Sequence, residues 1–251
     1  MQLDLEKKVA VVTGAGRGIG RSIAEALAAE GCAVAVCDRD RDVALEVAEA
    51  IRASGGTAEA FQADVAQRAS VQEMAAAVKD SLGEAHILVN NAGFSMDAPL
   101  LQMTEEQWDQ VVDVNLKGSW LCAQAFVGGM RAKGAGRIIN ISSRAHLGEN
   151  NKTNYCAAKA GVLGLTAALA LELGRDNITV NAVAPGLIRT DRVKSLRYFD
   201  DIDHRAKQST PIQRPGVPED IAAAVVYLAS ALGAFVSGET LHVTGGRYSS
   251  T

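Results

Sequence analysis

One alternation runs the length of this chain: short apolar runs rich in Val, Ile and Ala, then longer Ala-rich stretches of helical period. Residues 9–12, 33–37, Thr57–Gln62, Ile87–Asn90, 137–142, 178–184 and Thr240–Val243 read as strands. Between them residues 22–30, 42–52, 71–82 and Thr153–Leu173 read as helices, each closed by a glycine or a Ser-Gly-Gly turn. Thr104-Glu105-Glu106-Gln107 is a capping box that opens a long helix, and Pro218-Glu219-Asp220 starts another with proline and acids in its first turn. Strands that are apolar throughout are buried on both faces, which requires helices on both sides of a parallel sheet. Right-handed crossovers then predict an α/β, Rossmann-type doubly wound fold, read here as a single domain over residues 1–251. Residues 187–216 are polar, charged and too long for an ordinary connection, so they are expected to be irregular and to form a substrate lid. The acids Asp200, Asp201 and Asp203 within them read as a solvated face.

Composition narrows the class. Hydrophobic residues make up 48% of 251, charged residues 22%, and the net charge is −4. With 4% aromatic residues and no basic patch, the chain does not read as a nucleic-acid binder. Cys32, Cys37, Cys122 and Cys156 are scattered, with no Cys/His clustering, so neither a metal site nor a disulfide framework is expected. The N-terminus has mixed charges and is not read as a secretory signal. Residues 221–238 carry no charge over 18 positions, but Ser230, Gly233, Ser237 and Gly238 interrupt them; a buried helix, a turn and a strand are expected rather than a membrane span. A soluble, cytoplasmic protein follows as the expectation.

Three motifs carry chemistry. Thr13-Gly14-Ala15-Gly16-Arg17-Gly18-Ile19-Gly20 follows a strand and opens a helix. Glycines there let the backbone turn sharply and approach a pyrophosphate at the helix N-terminus, and no Lys-Ser/Thr follows to make it a Walker A loop. Asp38 ends the second strand, 18 residues after Gly20. A carboxylate there accepts both hydroxyls of an adenosine ribose and repels a 2′-phosphate, which favours NAD; Arg17 and Arg39 nearby keep NADP possible. Tyr155 and Lys159 are four apart, on one face of a helix. An ammonium near a phenol favours the phenolate, and a phenol so tuned serves as a general acid/base. Ser142 and Ser143 end the preceding strand and bring hydroxyls to the carboxyl end of the sheet.

With these pieces in order, the chain resembles the classical short-chain dehydrogenases/reductases over essentially its whole length. The matching residues are the glycine loop, Asp64-Val65, Asn90-Asn91-Ala92-Gly93, Asn115, Ser142-Ser143, Tyr155-x3-Lys159, Asn181-Ala182-Val183-Ala184-Pro185-Gly186 with Thr190, and Val243-Thr244-Gly245-Gly246. The resemblance implies that Tyr155 is the acid/base and that Lys159 holds the nicotinamide ribose and depresses the tyrosine pKa. It implies that a serine bonds the substrate oxygen and that Asn115 kinks its helix and holds a water in a proton relay. Asp64 would bond the adenine amino group with Val65 beside it. Asn90, Ala92 and Gly93 would line the cofactor near its ribose, and Ile188 and Thr190, after Pro185-Gly186, would meet the carboxamide. It further implies a homotetramer, for which residues 234–243 are an apolar candidate interface.

The serine assignment divides. Ser142 stands 13 residues before Tyr155, the family's usual spacing, whereas strand register favours Ser143, 12 before it. Register is harder to shift than loop length, so Ser143 is preferred. His146 is either a substrate-facing group or a solvated loop residue. Phe94 and Met96 are either an apolar pocket wall or lid packing. The reading is therefore an NAD(H)-dependent oxidoreductase acting on a secondary alcohol or ketone. The alternatives are an NADPH-dependent 3-oxoacyl-carrier-protein reductase and, in another class, a cofactor-binding scaffold or redox sensor.

Overall fold

Strand residues alternate between two helical layers. The computed structural model describes residues 2–195 and 199–247. In β1 (Val9–Thr13), Ala10 and Val12 pack into one apolar cluster, while Val9 and Val11 pack into another on the opposite face. That period of two makes every β1 residue buried. The same logic holds for β2 (Ala33–Asp38), β4 (Ile87–Asn90), β5 (Gly136–Ile141) and β6 (Ile178–Pro185). With β3 (Thr57–Gln62) and β7 (Thr240–Val243), the described strands form one parallel sheet of order β3-β2-β1-β4-β5-β6-β7.

Helices α1 (Gly18–Ala29), α2 (Arg41–Ala53) and α9 (Pro218–Ala229) cover one face through Ile23, Leu27, Val47, Ile51, Ile221 and Val225. The other face is covered by α3 (Arg68–Leu82), α5 (Gly118–Lys133) and α6 (Thr153–Leu173), through Met74, Val78, Phe126, Met130 and Leu173. The doubly wound α/β expectation therefore holds. Strand order reverses between β1 and β4, which are neighbours in the sheet, and the crevice outside their carboxyl ends is where such sheets hold ligands.

Two expectations need correction. The long helix opened by Thr104 is interrupted at Asn115, where the family resemblance implies a kink. Its capping box forms, with the Gln107 N–H donating to Thr104 Oγ1 at 3.2 Å, and α4 (Glu105–Val112) follows. A π-helical turn, Asp113–Lys117, then intervenes before α5. Inside it Asn115 donates its side-chain amide to Val111 O at 2.8 Å and to Phe94 O at 2.9 Å, so a side chain competes for a helical carbonyl. The second correction concerns residues 187–216, which are not irregular throughout. Thr190 Oγ1 caps α7 (Asp191–Lys194), and α8 is Phe199–Ser209. A parallel bridge between Ile188 and Gly216 closes the segment at its base. Residues 196–198, and the side chains of Asp200 and Asp203, lie outside the described part.

Residues 221–238 divide as expected, α9 ending at Ala229 and a 3₁₀ turn following over Ala231–Gly233. The last strand begins at Thr240, just beyond that stretch. Among the described residues one helical stretch, Thr153–Asp176, is long and apolar enough to cross a membrane by length and composition alone. Its inner face packs on the sheet, and its outer face leaves Leu171 87% exposed.

Candidate active site

The glycine loop is shaped by what surrounds it. Gly14 has φ +61°, and a methyl group on it would lie 2.8 Å from Ala92 Cα. At Gly16 a methyl group would collide with Val43 and come within 2.9 Å of Asp38 Oδ2. At Gly20 it would strike Gly14 O and the Asn91 side chain. Glycine is thus required at these three positions by how closely the loop packs on Ala92, Val43 and Asn91. Thr190 stands over this helix start, its methyl 3.4 Å from the Cβ position of Gly18, and Ile19 follows one residue on.

Asn91 and Thr13 bolt the loop to β4. Asn91 donates its side-chain amide to Thr13 O and Gly14 O, both at 2.9 Å. Thr13 Oγ1 accepts the N–H groups of Asn91 and Ala92, both at 3.1 Å. The sequence reading quoted these two residues in motifs and gave them no role; only the β1–β4 pairing reveals it. Asp38 closes the other side of the loop. Its Oδ2 accepts the Gly16 N–H at 3.0 Å and its Oδ1 accepts the Asp40 N–H at 3.2 Å. Arg17 lies 3.7 Å from Asp40 as an exposed ion pair. Farther along, Asp64 Oδ1 accepts the Ala66 N–H at 3.0 Å, and Val65 is buried against Gly118.

At the carboxyl end of β5 the two serines separate. Ser142 is buried and donates its hydroxyl to Lys159 O at 2.9 Å, on the backbone of α6. The Ser143 hydroxyl stands beside the Tyr155 side chain, favouring its phenolate, and accepts the Ala145 N–H at 3.1 Å. Lys159 is buried, donates to Ile141 O at 2.8 Å and lies 5.6 Å from the Tyr155 ring centre. Gly93 and Asn115 meet the same ammonium. A methyl group on Gly93 would strike Asn115 Oδ1 and sit 3.3 Å from Lys159 Nζ. Asn115 Oδ1 is buried with no hydrogen-bond partner among the described residues, and it lies against Gly93 on the side where Lys159 Nζ also approaches.

Burial dominates the electrostatics. It pushes the Tyr155 phenol above its ordinary value, against the pull of Ser143 and then of Lys152. The sequence reading expected Lys159 to depress this group; the net direction is opposite, because burial outweighs the favourable contacts. Burial also pushes Lys159 down to about 7.

The remaining residues fall into place around this centre. Asn90 turns its side chain inward, donating to Asn140 Oδ1 at 2.9 Å and to Ser119 O at 3.2 Å, so only its backbone faces the crevice. Pro185 ends β6, Gly186 N–H donates to Val243 O at 2.9 Å, and Ile188 is buried at the base of the 187–216 segment. Phe94 and Met96 are half-buried, and their carbonyls are held by Asn115 and Asn154. Asn154 is fully buried and escaped the sequence reading. It donates to Met96 O at 3.0 Å and Gln107 O at 3.1 Å, and its Oδ1 accepts the Tyr155 N–H at 2.7 Å. His146 is not a plain solvated loop residue. Its Nε2 lies 3.2 Å from His242 Nε2 with the rings edge to face, and burial followed by His242 lowers its pKa.

A family model described as enoyl-(acyl carrier protein) reductase matches residues 14–247. The chain is 44% identical over 247 residues to the short-chain reductase protein NovJ of Streptomyces niveus, covering 96% of this chain and 94% of that protein. The chain belongs to the short-chain dehydrogenase/reductase family. As a family member it is an oxidoreductase acting on CH–OH and keto groups, and the family binds NAD(P). It is also 45% identical over 243 residues to the 3-oxoacyl-[acyl-carrier-protein] reductase FabG of Staphylococcus epidermidis, covering 96% of this chain and 99% of that one. Among solved structures, a Beutenbergia cavernae protein provisionally described as an NAD(P)-dependent gluconate 5-dehydrogenase, with NADP bound at low occupancy, superposes with TM-score 0.92. It is 38% identical, over 98% of this chain and 99% of its own.

Proposed function

We propose that this family member is an NAD(H)-dependent oxidoreductase interconverting a secondary alcohol and a ketone, with Tyr155 as acid/base. The observation that carries the reading is the convergence of Tyr155, Ser143 and buried Lys159 at the carboxyl end of the sheet, with Lys159 Nζ 5.6 Å from the Tyr155 ring centre. A nicotinamide bound there supplies the hydride acceptor or donor. Gly14, Gly16, Gly18, Ile19 and Gly20, with Arg17 through its backbone, hold the pyrophosphate, Asp38 the adenosine ribose, and Asp64 with Val65 the adenine. Asn90, Ala92, Gly93, Tyr155 and Lys159 lie along the nicotinamide ribose, with Pro185, Gly186, Ile188 and Thr190 at the carboxamide. In the oxidation direction the substrate hydroxyl sits between Tyr155 and Ser143. Tyrosinate takes its proton while Ser143 donates a hydrogen bond to the developing oxyanion. Lys159 holds the nicotinamide ribose beside the phenol, and Asn115 Oδ1 holds a water that links Lys159 Nζ to solvent. Phe94, Met96 and His146 line the substrate side, and residues 187–216 close over it.

Ser143→Ala is expected to lower kcat by roughly a hundredfold, the cost of one donor to a developing oxyanion. Ser142→Ala leaves Lys159 O without its buried donor and is expected to show up first in thermal stability. Steady-state rates and melting temperatures of the two variants rank them, and the reverse ranking in kcat overturns the assignment of Ser143.

NAD is favoured because the Asp38 carboxylate already sits at the loop, where a 2′-phosphate would meet it anion to anion. The second reading, an NADPH-dependent 3-oxoacyl-carrier-protein reductase, draws support from the likeness to FabG. Absorbance at 340 nm with each cofactor, over cyclic alcohols, polyols, sugar acids and hydroxyacyl thioesters, separates the two. A higher kcat/KM with NAD supports the first reading, and NADPH with an acyl thioester the second. The exposed apolar face of α6 supports a homotetramer, and four unpaired cysteines support a cytoplasmic setting.

A further inference from the structure

Arg17 is the cation of the glycine loop that a 2′-phosphate would attract. It sits between Gly16, whose N–H is bonded to Asp38, and Gly18, the first residue of α1. Its backbone is extended, with φ −159° and ψ 166°, and its side chain leaves the loop toward the turn after β2. There it meets Asp40 Oδ2 at 3.7 Å, with the two side chains 72% and 53% exposed. Asp40 is not a loose partner. Its N–H is bonded to Asp38 Oδ1 at 3.2 Å, and its own Oδ1 accepts the Asp42 N–H at 3.2 Å as the cap of α2. The residue is thus tied through its backbone N–H to the ribose-facing acid, while one carboxylate oxygen caps the helix and the other turns to the arginine. Arg39, also exposed, has no carboxylate partner among the described residues, and its carbonyl accepts from the Gln62 amide.

We propose that Asp40 is a cofactor-specificity determinant: it holds the Arg17 guanidinium away from a 2′-phosphate and adds a second anion beside Asp38, so that NADP is disfavoured. This rests on the reading that Asp38 takes the adenosine ribose. NAD lacks the phosphate that Arg17 would pair with, so the contact costs NAD nothing. A guanidinium released from Asp40 is the fork-shaped donor that phosphate recognition uses.

The test needs no substrate. Dissociation constants for NADH and NADPH are measured by cofactor fluorescence at low ionic strength, for the full chain and for Asp40→Asn, Arg17→Ala and the double variant. Asparagine keeps the helix cap, so folding is preserved. Asp40→Asn is expected to tighten NADPH roughly twofold to fivefold, the scale of an exposed ion pair, and to leave NADH unchanged. In the Arg17→Ala background that gain is expected to vanish. An NADPH affinity unchanged by Asp40→Asn overturns the proposal, as do an equal gain for both cofactors and a gain that survives without Arg17. Asp38→Ala separates the two levels. If it shifts the NADH/NADPH ratio and Asp40→Asn does not, the role of Asp40 alone falls; if neither shifts it, the ribose reading falls with it.

Discussion

Tyr155→Phe is expected to lower kcat by roughly a hundredfold to ten-thousandfold, the span of general acid–base catalysis. The substitution keeps the half-buried ring and removes only the oxygen that stands beside Ser143. The dissociation constant for NADH is expected to stay within about threefold, a small effect beside the loss in rate, because the ring and Lys159 remain in place. Steady-state rates and a fluorescence titration of the same preparation check both halves. Because burial lifts the phenol above its ordinary value, kcat/KM for alcohol oxidation is expected to rise with pH across the alkaline range, as the free enzyme gains tyrosinate. Retention of more than about a tenth of the wild-type rate would mean that another group moves the proton.

Lys159 carries the second large effect, in stability. Burial holds its ammonium near 7 in the folded protein, against 10.5 for a lysine in water. Between those values the unfolded chain holds a proton that the folded chain has lost. Unfolding then takes up a proton, so the ligand-free protein is expected to grow more stable as pH rises from about 7 toward 10.5. At and below pH 7 the penalty is present almost in full, on the order of a few kcal/mol. Lys159→Met removes the titrating group. It is expected to flatten this slope and to raise stability at neutral pH, even though Ile141 O loses its donor, while abolishing turnover. Urea unfolding between pH 6.5 and 9.5 measures the slope in both proteins. A wild-type slope that is flat or negative in that range contradicts the burial of a titrating lysine. A stabilised but inactive variant would mark this position as one where function is held at the expense of stability.

Period and punctuation made most of the fold legible. The strands Thr57–Gln62, Ile87–Asn90 and Thr240–Val243 and the helix Thr153–Leu173 have the bounds read from the sequence, because apolar runs and terminal glycines mark them. What failed was set by tertiary contacts. The capping box at Thr104 is local and was visible. The π turn after it depends on Asn115 reaching Phe94 O, 21 residues away; no local signal marks it, and only the family resemblance anticipates a kink there. In residues 187–216 high polarity hid α8, whose exposed surface needs few apolar residues to hold it.

The site divides along the same line. The glycine loop, Asp38 and the Tyr155–Lys159 spacing are sequence-local and could be read directly. Ser142 and Ser143 could be separated only by register, and the structure shows why register matters: one residue's shift turns a hydroxyl from the cleft to the backbone of α6. The sign of the Tyr155 shift was beyond the sequence, since it depends on how deeply a ring is covered. The pairing of His146 with His242, 96 positions apart, was equally invisible.

The most direct test of the account follows hydride and proton separately. NADH deuterated at the transferring C4 position is incubated with a panel of ketones, wild-type enzyme and Tyr155→Phe, and the alcohol is analysed by mass spectrometry. The account predicts that the wild type places one deuterium per turnover on the carbinol carbon and that Tyr155→Phe forms labelled alcohol at least a hundredfold more slowly. Labelled alcohol formed at the wild-type rate by Tyr155→Phe, or wild-type product without the label, would contradict it.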